Sequence, residues 1–228
     1  MKFYDIVMQT LNEGVHDKNQ YKAIFVLGPP GAGKSYVTRN YISDGTMKIV
    51  DNDIATVHLL RKQGLESNRE NDLDFSELTP EKEKQLQDIR TKAWKLTGGG
   101  ISSDSKDGTG TGLLQNYVKQ GLGIIYSGSG ANAQDQKVIY DWLVGNGYDI
   151  MLVVVTAPLN VCLQGNRDRT RKLKNDEIIS KHKALEDNLD FYKKLFKHYF
   201  IFENTGRGSV DRSEANALVS AVKKFLQY

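Results

Sequence analysis

A single cysteine, Cys162, stands among 228 residues, so the chain can form no intramolecular disulfide and carries no mark of an oxidising compartment. Long apolar runs are missing as well. No segment approaches the roughly 18 apolar residues that span a bilayer, and Met1-Lys2-Phe3-Tyr4-Asp5-Ile6 lacks the uninterrupted apolar stretch of a secretory signal. A cytoplasmic protein is expected. Excess charge is small: 31 basic and 28 acidic side chains leave a net +3, too little to announce a nucleic-acid partner. The four histidines, His16, His58, His182 and His198, are scattered without metal-ligand spacing, which removes the case for a histidine-held metal. There is no internal repeat.

What is present is enough for one packed domain. A hydrophobic fraction of 39% and a charged fraction of 26% fit a soluble globular chain of this length. Ala23-Ile24-Phe25-Val26-Leu27 is continuous and apolar, bounded by a Gly-Pro cluster, and reads as a strand buried on both faces of a parallel sheet. Similar runs occur at 47–50, 122–126, 150–155 and 199–202, with helical patterns between them. Five strands alternating with helices predict a doubly wound, three-layer α/β fold with a central five-stranded parallel sheet. Val138, Ile139, Trp142 and Leu143 predict a helix over 133–145, stopped by Gly145-Asn146-Gly147. Phe3, Ile6, Val7 and Leu11 predict a short amphipathic helix at the start, ended by Gly14.

The expected organisation is one domain over 1–228, with a helical insert at about 54–97 and a flexible glycine-rich loop at about 98–112. Within the insert, Thr79 reads as a helix cap and Pro80 as the first helical residue. The insert is either a cover for a substrate or a passive solvated excursion. Trp94, Trp142, Phe191 and Tyr192 are expected to pack rather than to stack on a ligand.

Gly28-Pro29-Pro30-Gly31-Ala32-Gly33-Lys34-Ser35 matches the phosphate-loop pattern GxxxxGK[ST], set between the first buried strand and a helical stretch. The chemistry requires those residue types. Glycines at 28, 31 and 33 let the backbone turn successive N–H groups, that of Ala32 included, toward phosphate oxygens with no Cβ in the way. Lys34 adds a full charge near the β- and γ-phosphates, Ser35 offers a hydroxyl to Mg2+, and Tyr36 follows at the nucleotide. ATP with Mg2+ is the implied cofactor pair. The guanine-specific Asn-Lys-x-Asp motif is absent, which argues against a switch GTPase.

Other residues must say what the triphosphate is for. The second strand runs into Asp51-Asn52-Asp53, at the same sheet edge as the phosphate loop. Asp53 is the candidate general base and Asp51 a candidate support or metal ligand; the competing reading of this segment is a helix cap ahead of Ile54. Arg167, Arg169 and Arg171 follow the fourth strand and its helix as a candidate lid, Arg167 and Arg171 spaced to share a helix face and Arg169 assigned to the nucleotide. After the third strand stands Ser127, where many phosphate-loop enzymes carry a metal-supporting acid.

These features together, with Ser127-Gly128-Ser129-Gly130 and Gly147-Tyr148-Asp149, resemble the zeta-toxin and polynucleotide-kinase-like group of P-loop kinases over about residues 22–205, and look closest to phage-encoded zeta-toxin-like proteins. The resemblance implies a nucleoside-kinase-like fold and ATP-dependent phosphorylation of a hydroxyl on a nucleotide, polynucleotide or nucleotide sugar. It matches Asp53 to the base and Arg167 or Arg171 to the lid. The alternative from a different class is an ATP-dependent binding or regulatory module that engages a partner through 54–112 without transfer.

Overall fold

Ala23, Phe25 and Leu27 enter one core and Ile24 and Val26 another, because a strand turns successive side chains to opposite faces. All five are fully buried, which is why the run is apolar without alternation. In this computed structural model, which describes residues 19–63, 79–98, 101, 112–168, 173–206 and 211–227, the segment is strand β1 (Lys22–Leu27). The other described strands are β2 (Lys48–Asp51), β3 (Ile124–Gly128), β4 (Asp149–Thr156) and β5 (His198–Glu203). Their order is β2-β3-β1-β4-β5 and every pairing is parallel. Each apolar run read from the sequence becomes a strand, with its ends moved by a residue or two.

In chain order the described helices are α1 (Lys34–Val37), α2 (Asn52–Lys62), α3 (Pro80–Thr97), α4 (Leu113–Lys119), α5 (Ala133–Gly145), α6 (Leu159–Arg167), α7 (Asn175–Leu195) and α8 (Arg212–Gln227). Helix α1 does not continue as a plain α-helix. Thr38–Ile42 winds as a π-helix, with Ser43 N–H donating to Thr38 O at 2.8 Å. Helix α8 lays Ala215, Leu218, Val222 and Phe225 on the core that holds Ile24 and Val26. Helices α4 and α5 cover the other face with Leu114, Val118, Ile139 and Leu143, while α7 reaches both cores through Ile178 and Leu185. The result is the three-layer α/β sandwich expected.

Local chemistry explains several ends. Thr79 accepts a hydrogen bond from Lys82 N–H with Pro80 at the first helical position, and Gly98 closes α3 at a φ of 118°. Asn132 caps α5 through Gln134 and Asp135 N–H, and Gly147 turns the chain away after it at a φ of 84°. Leu60, Leu86 and Ile89 make a small satellite core between α2 and α3. Lys174 to Glu83 at 2.5 Å and Arg90 to Glu177 at 3.8 Å then tie α3 to α7 and its start. The predicted helix over the first dozen residues lies outside the described residues, as does most of 98–112. The two ends of that loop meet: a Cβ on Gly112 would lie 2.5 Å from Gly98 N, and Gln115 donates to Gly98 O at 3.0 Å. Among the described residues no helix is long and apolar enough to cross a membrane.

Candidate active site

The carboxyl ends of β1, β2 and β3 converge on one cleft of about 390 Å³, lined among others by Pro30, Lys34, Asp51, Asn52, Asp53, Ser127 and Gly128. In a parallel sheet with helices on both faces, this edge is where loops separate and leave room for a ligand. Register brings the segments together, since Val26 pairs with Ser127 and Ser127 with Asp51.

Directly after β1, Gly28 N–H bonds Gly128 O at 3.2 Å and Ala32 N–H bonds Pro29 O at 3.2 Å, so the phosphate loop is closed on itself and on β3. Gly31 and Gly33 sit at φ values of 86° and 91°, where an L side chain is strained. Space forbids a side chain there too. A Cβ on Gly31 would stand 2.0 Å from Cys162 O, and one on Gly33 would stand 2.6 Å from the Asn204 amide. Lys34 folds over the loop and donates from Nζ to Gly28 O at 2.7 Å and Pro29 O at 3.1 Å. An arriving triphosphate offers the ammonium a charged partner in place of these neutral carbonyls. Ser35 and Tyr36 are exposed on the first turn of α1, with Tyr36 edge-on to Tyr41.

Two supports of this loop lie far away in sequence. Gly165 in α6 packs so tightly on it that a Cβ there would come within 2.5 Å of Gly31 O. Gly165→Ala is therefore expected to push the loop out of shape, at the roughly 1–3 kcal/mol typical of overpacking. Calorimetry should record about tenfold weaker ATP binding, an effect of about 1.4 kcal/mol. Asn204, just past β5, donates its amide to Ala32 O at 2.9 Å, while its own N–H bonds Thr156 O at 2.8 Å. Asn204→Ala removes one such bond, worth about 1 kcal/mol, and should weaken ATP by about fivefold without changing the fold seen by circular dichroism. Neither residue was singled out from the sequence. The only trace was a small polar residue following the last strand on the ligand edge.

At the end of β2 the two carboxylates divide their work. Asp51 Oδ1 accepts from Asp53 N–H at 2.7 Å and from Ile54 N–H at 3.3 Å, so Asp51 caps α2. Asp53 lies in the first helical turn, exposed and on the cleft. The cap reading is thus realised on Asp51, while Asp53 is left lining the cleft. Tyr126 also lines the cleft. Burial pushes its phenol up to about 12, helped by the Asp135 and Asp51 charges and opposed by the Gln136 amide, so Tyr126 stays a neutral hydroxyl at working pH.

For a divalent ion, the residues that could serve are Ser35 on the loop side and Asp51 on the β2 side, both carrying hard oxygen donors of the kind Mg2+ prefers. No cluster of three acidic, histidine or cysteine ligands exists among the described residues. This donor set fits a metal held mainly by phosphate oxygens and water. Arg167 closes α6 in an exposed position with Asp168 at its C-cap, while Arg169 and Arg171 lie outside the described residues. Trp94 departs from expectation. Its ring is 46% exposed and lines the cleft rather than a core, because α3 is pinned to α7 by ion pairs and buries only its Leu86, Ile89, Ala93 and Thr97 face.

No known family profile matches the chain, and no curated protein matches it. Solved structures do. The PezAT chromosomal toxin–antitoxin system of Streptococcus pneumoniae aligns at 15% identity over 98% of this chain and 93% of that one, with a TM-score of 0.55. The complex of AvrRxo1-ORF1 with ORF2, solved with ATP, aligns at 10% identity over 96% of this chain and 71% of that one, with a TM-score of 0.55. A protein of Chloroflexus aurantiacus that carries the name of a kinase gives 12% identity, 90% and 97% coverage and a TM-score of 0.55. At such identities the likeness shows the fold alone, a three-layer α/β fold on a five-stranded parallel sheet.

Proposed function

We propose that the protein is an ATP-dependent kinase that moves the γ-phosphate to a hydroxyl, within the acceptor classes named by the zeta-toxin and polynucleotide-kinase resemblance: nucleotide, polynucleotide or nucleotide sugar. The observation that carries the reading is a carboxylate, Asp53, lining the same cleft as the phosphate-loop Lys34. In this reading the loop amides and Lys34 hold the triphosphate with its γ-phosphorus toward the cleft. Asp53 takes the proton of the acceptor hydroxyl as its oxygen bonds to the γ-phosphorus. The bond from that phosphorus to the β–γ bridging oxygen breaks, and ADP leaves with the electron pair. Mg2+, held by Ser35, phosphate oxygens and Asp51, would neutralise charge on the β- and γ-oxygens. Arg167 and Arg171 are assigned to closing over the transferred group, and Arg169 to the nucleotide.

The neighbours' names support this direction, since one was solved with ATP and another bears the name of a kinase. The one cysteine, buried Cys162, accords with a cytoplasmic setting. Incubation with γ-labelled ATP, Mg2+ and a panel of hydroxyl acceptors should move label to an acceptor. Release of label only as free phosphate across the panel would defeat the proposal.

A further inference from the structure

Helix α7 grips the cleft from behind. The turn that leaves β3 supplies Ser127, Gly128, Ser129 and Asn132 to the cleft, and Gly128 O also accepts the Gly28 N–H of the phosphate loop at 3.2 Å. Carbonyls in the middle of such a turn belong neither to the sheet nor to the next helix, so their partners must come from elsewhere. Here they come from α7. Tyr192, 62 residues further along the chain, donates its hydroxyl to Gly130 O at 2.7 Å. Asn188 donates its amide to the same oxygen at 3.2 Å and to Ala131 O at 3.0 Å. A carbonyl oxygen has two lone pairs, so Gly130 O can take both donors at once.

This grip is buried and close. Tyr192 is fully buried, with its ring edge-on to Phe191 and Phe196, and burial raises its phenol above the ordinary range, so the hydroxyl stays a neutral donor. Helix α7 lies so near the turn that a Cβ on Gly130 would come 2.6 Å from Leu185 Cδ1. Asn188 and Tyr192 themselves stand outside the cleft lining. Their hold reaches it through the backbone, since only Ser129 separates Gly130 from Gly128, whose carbonyl bonds the phosphate loop. The first turns of α7 face the insert, where Glu177 meets Arg90 of α3 at 3.8 Å and both line the cleft. One helix thus holds the insert wall with one end and the β3 wall with the other.

We infer that Asn188 and Tyr192 are positioning residues of this site: by holding Gly130 O from outside the cleft, they fix the turn after β3 and so the spacing between that wall and the phosphate loop. The consequence for transfer rests on the kinase reading, and hydrogen exchange reads the same grip without it. In Tyr192→Phe and in Asn188→Ala one donor still holds Gly130 O, so kcat for labelled-phosphate transfer to the acceptor panel should fall only about threefold, less than a whole hydrogen bond is worth. The double variant releases the carbonyl and should lose about a hundredfold, the effect of a displacement of about 1 Å near reacting groups. That is about tenfold beyond the product of the single losses, a coupling of about 1.4 kcal/mol.

The ATP KM should stay where it is, because the bonds of Ala32, Lys34 and Asn204 that shape the phosphate loop are untouched. Plain loss of structure would instead lower kcat and ATP affinity together. Single losses that merely multiply, or kcat and ATP affinity falling in one proportion, overturn the inference. Should the double variant not fold, Tyr192→Phe, which keeps the buried ring, decides: an unchanged kcat overturns the inference. If the unaltered protein moved label to no acceptor, the kinase reading would fall and hydrogen exchange would judge the inference alone. Exchange over 128–132 about tenfold faster in the double variant, or measurably faster in Tyr192→Phe, with 31–36 unchanged, sustains it. Equal exchange in variant and unaltered protein overturns it.

Discussion

Lys34→Ala is expected to abolish ATP-dependent activity while leaving the fold intact. The ammonium donates to the neutral carbonyls Gly28 O at 2.7 Å and Pro29 O at 3.1 Å, so these bonds, lost with the side chain, are ones at a partly exposed site. A thermal melt should therefore move little. With a triphosphate present the balance changes, because a full positive charge then faces several phosphate oxygens. A unit pair about 4 Å apart is worth about 4 kcal/mol at an effective dielectric of about 20. Solvent around a partly exposed lysine reduces that figure, and a loss of about a hundredfold to a thousandfold in kcat/KM is the expected reading. Calorimetry with ATP and Mg2+ should show the affinity falling in step. Retention of full turnover by this variant would mean that the loop is not where the nucleotide sits.

The parts of this molecule that the sequence exposes are those whose chemistry is local. Glycines at 31 and 33 announce a left-handed backbone because no other residue tolerates it there, and both φ values agree. The run from Ala23 to Leu27 announces a central strand because burial on both faces removes any need for alternation. Thr79-Pro80 announces a helix start through bonds made within four residues. The cleft's inner wall has no such signature. Gln136 lies on a helix face that composition reads as ordinary, and it becomes a lining residue only because α5 packs its first turns over the end of β3. Trp94 was expected to pack, as most tryptophans do. The ion pair between Arg90 and Glu177 ties α3 to α7 with this ring on the cleft. Asn204 is 172 residues from the carbonyl it supports. Such couplings arise from tertiary geometry, and a single chain read in order carries no record of them. Asp51 and Asp53 stand between the two cases: spacing put both at the right edge, but which one caps the helix is decided by backbone direction at the end of β2.

That division makes Asp53→Asn the sharper of the two large experiments. Asparagine keeps the size of the side chain, and the Asp53 backbone N–H still has Asp51 Oδ1 at 2.7 Å, so the start of α2 should persist. Lys34 and the loop bonds are untouched, so ATP should bind as before. What disappears is the carboxylate able to accept a proton from the attacking hydroxyl, and positioned general bases contribute about 10²–10⁴-fold. The expected result is a drop of that order in kcat for labelled-phosphate transfer, with the ATP dissociation constant unchanged. Tyr126 cannot substitute, since burial holds its phenol near 12 and a neutral phenol is a poor proton acceptor. Asp51→Asn supplies the comparison: asparagine is itself a good cap, so it removes charge at the strand end without removing the helix start. If the proton passes to Asp53, the 53 variant should fall further than the 51 variant, and only the 51 variant should require more Mg2+ to reach its maximum. A module that binds ATP in order to engage a partner predicts the opposite pattern: partner binding lost in Lys34→Ala and kept in Asp53→Asn, because no proton has to move.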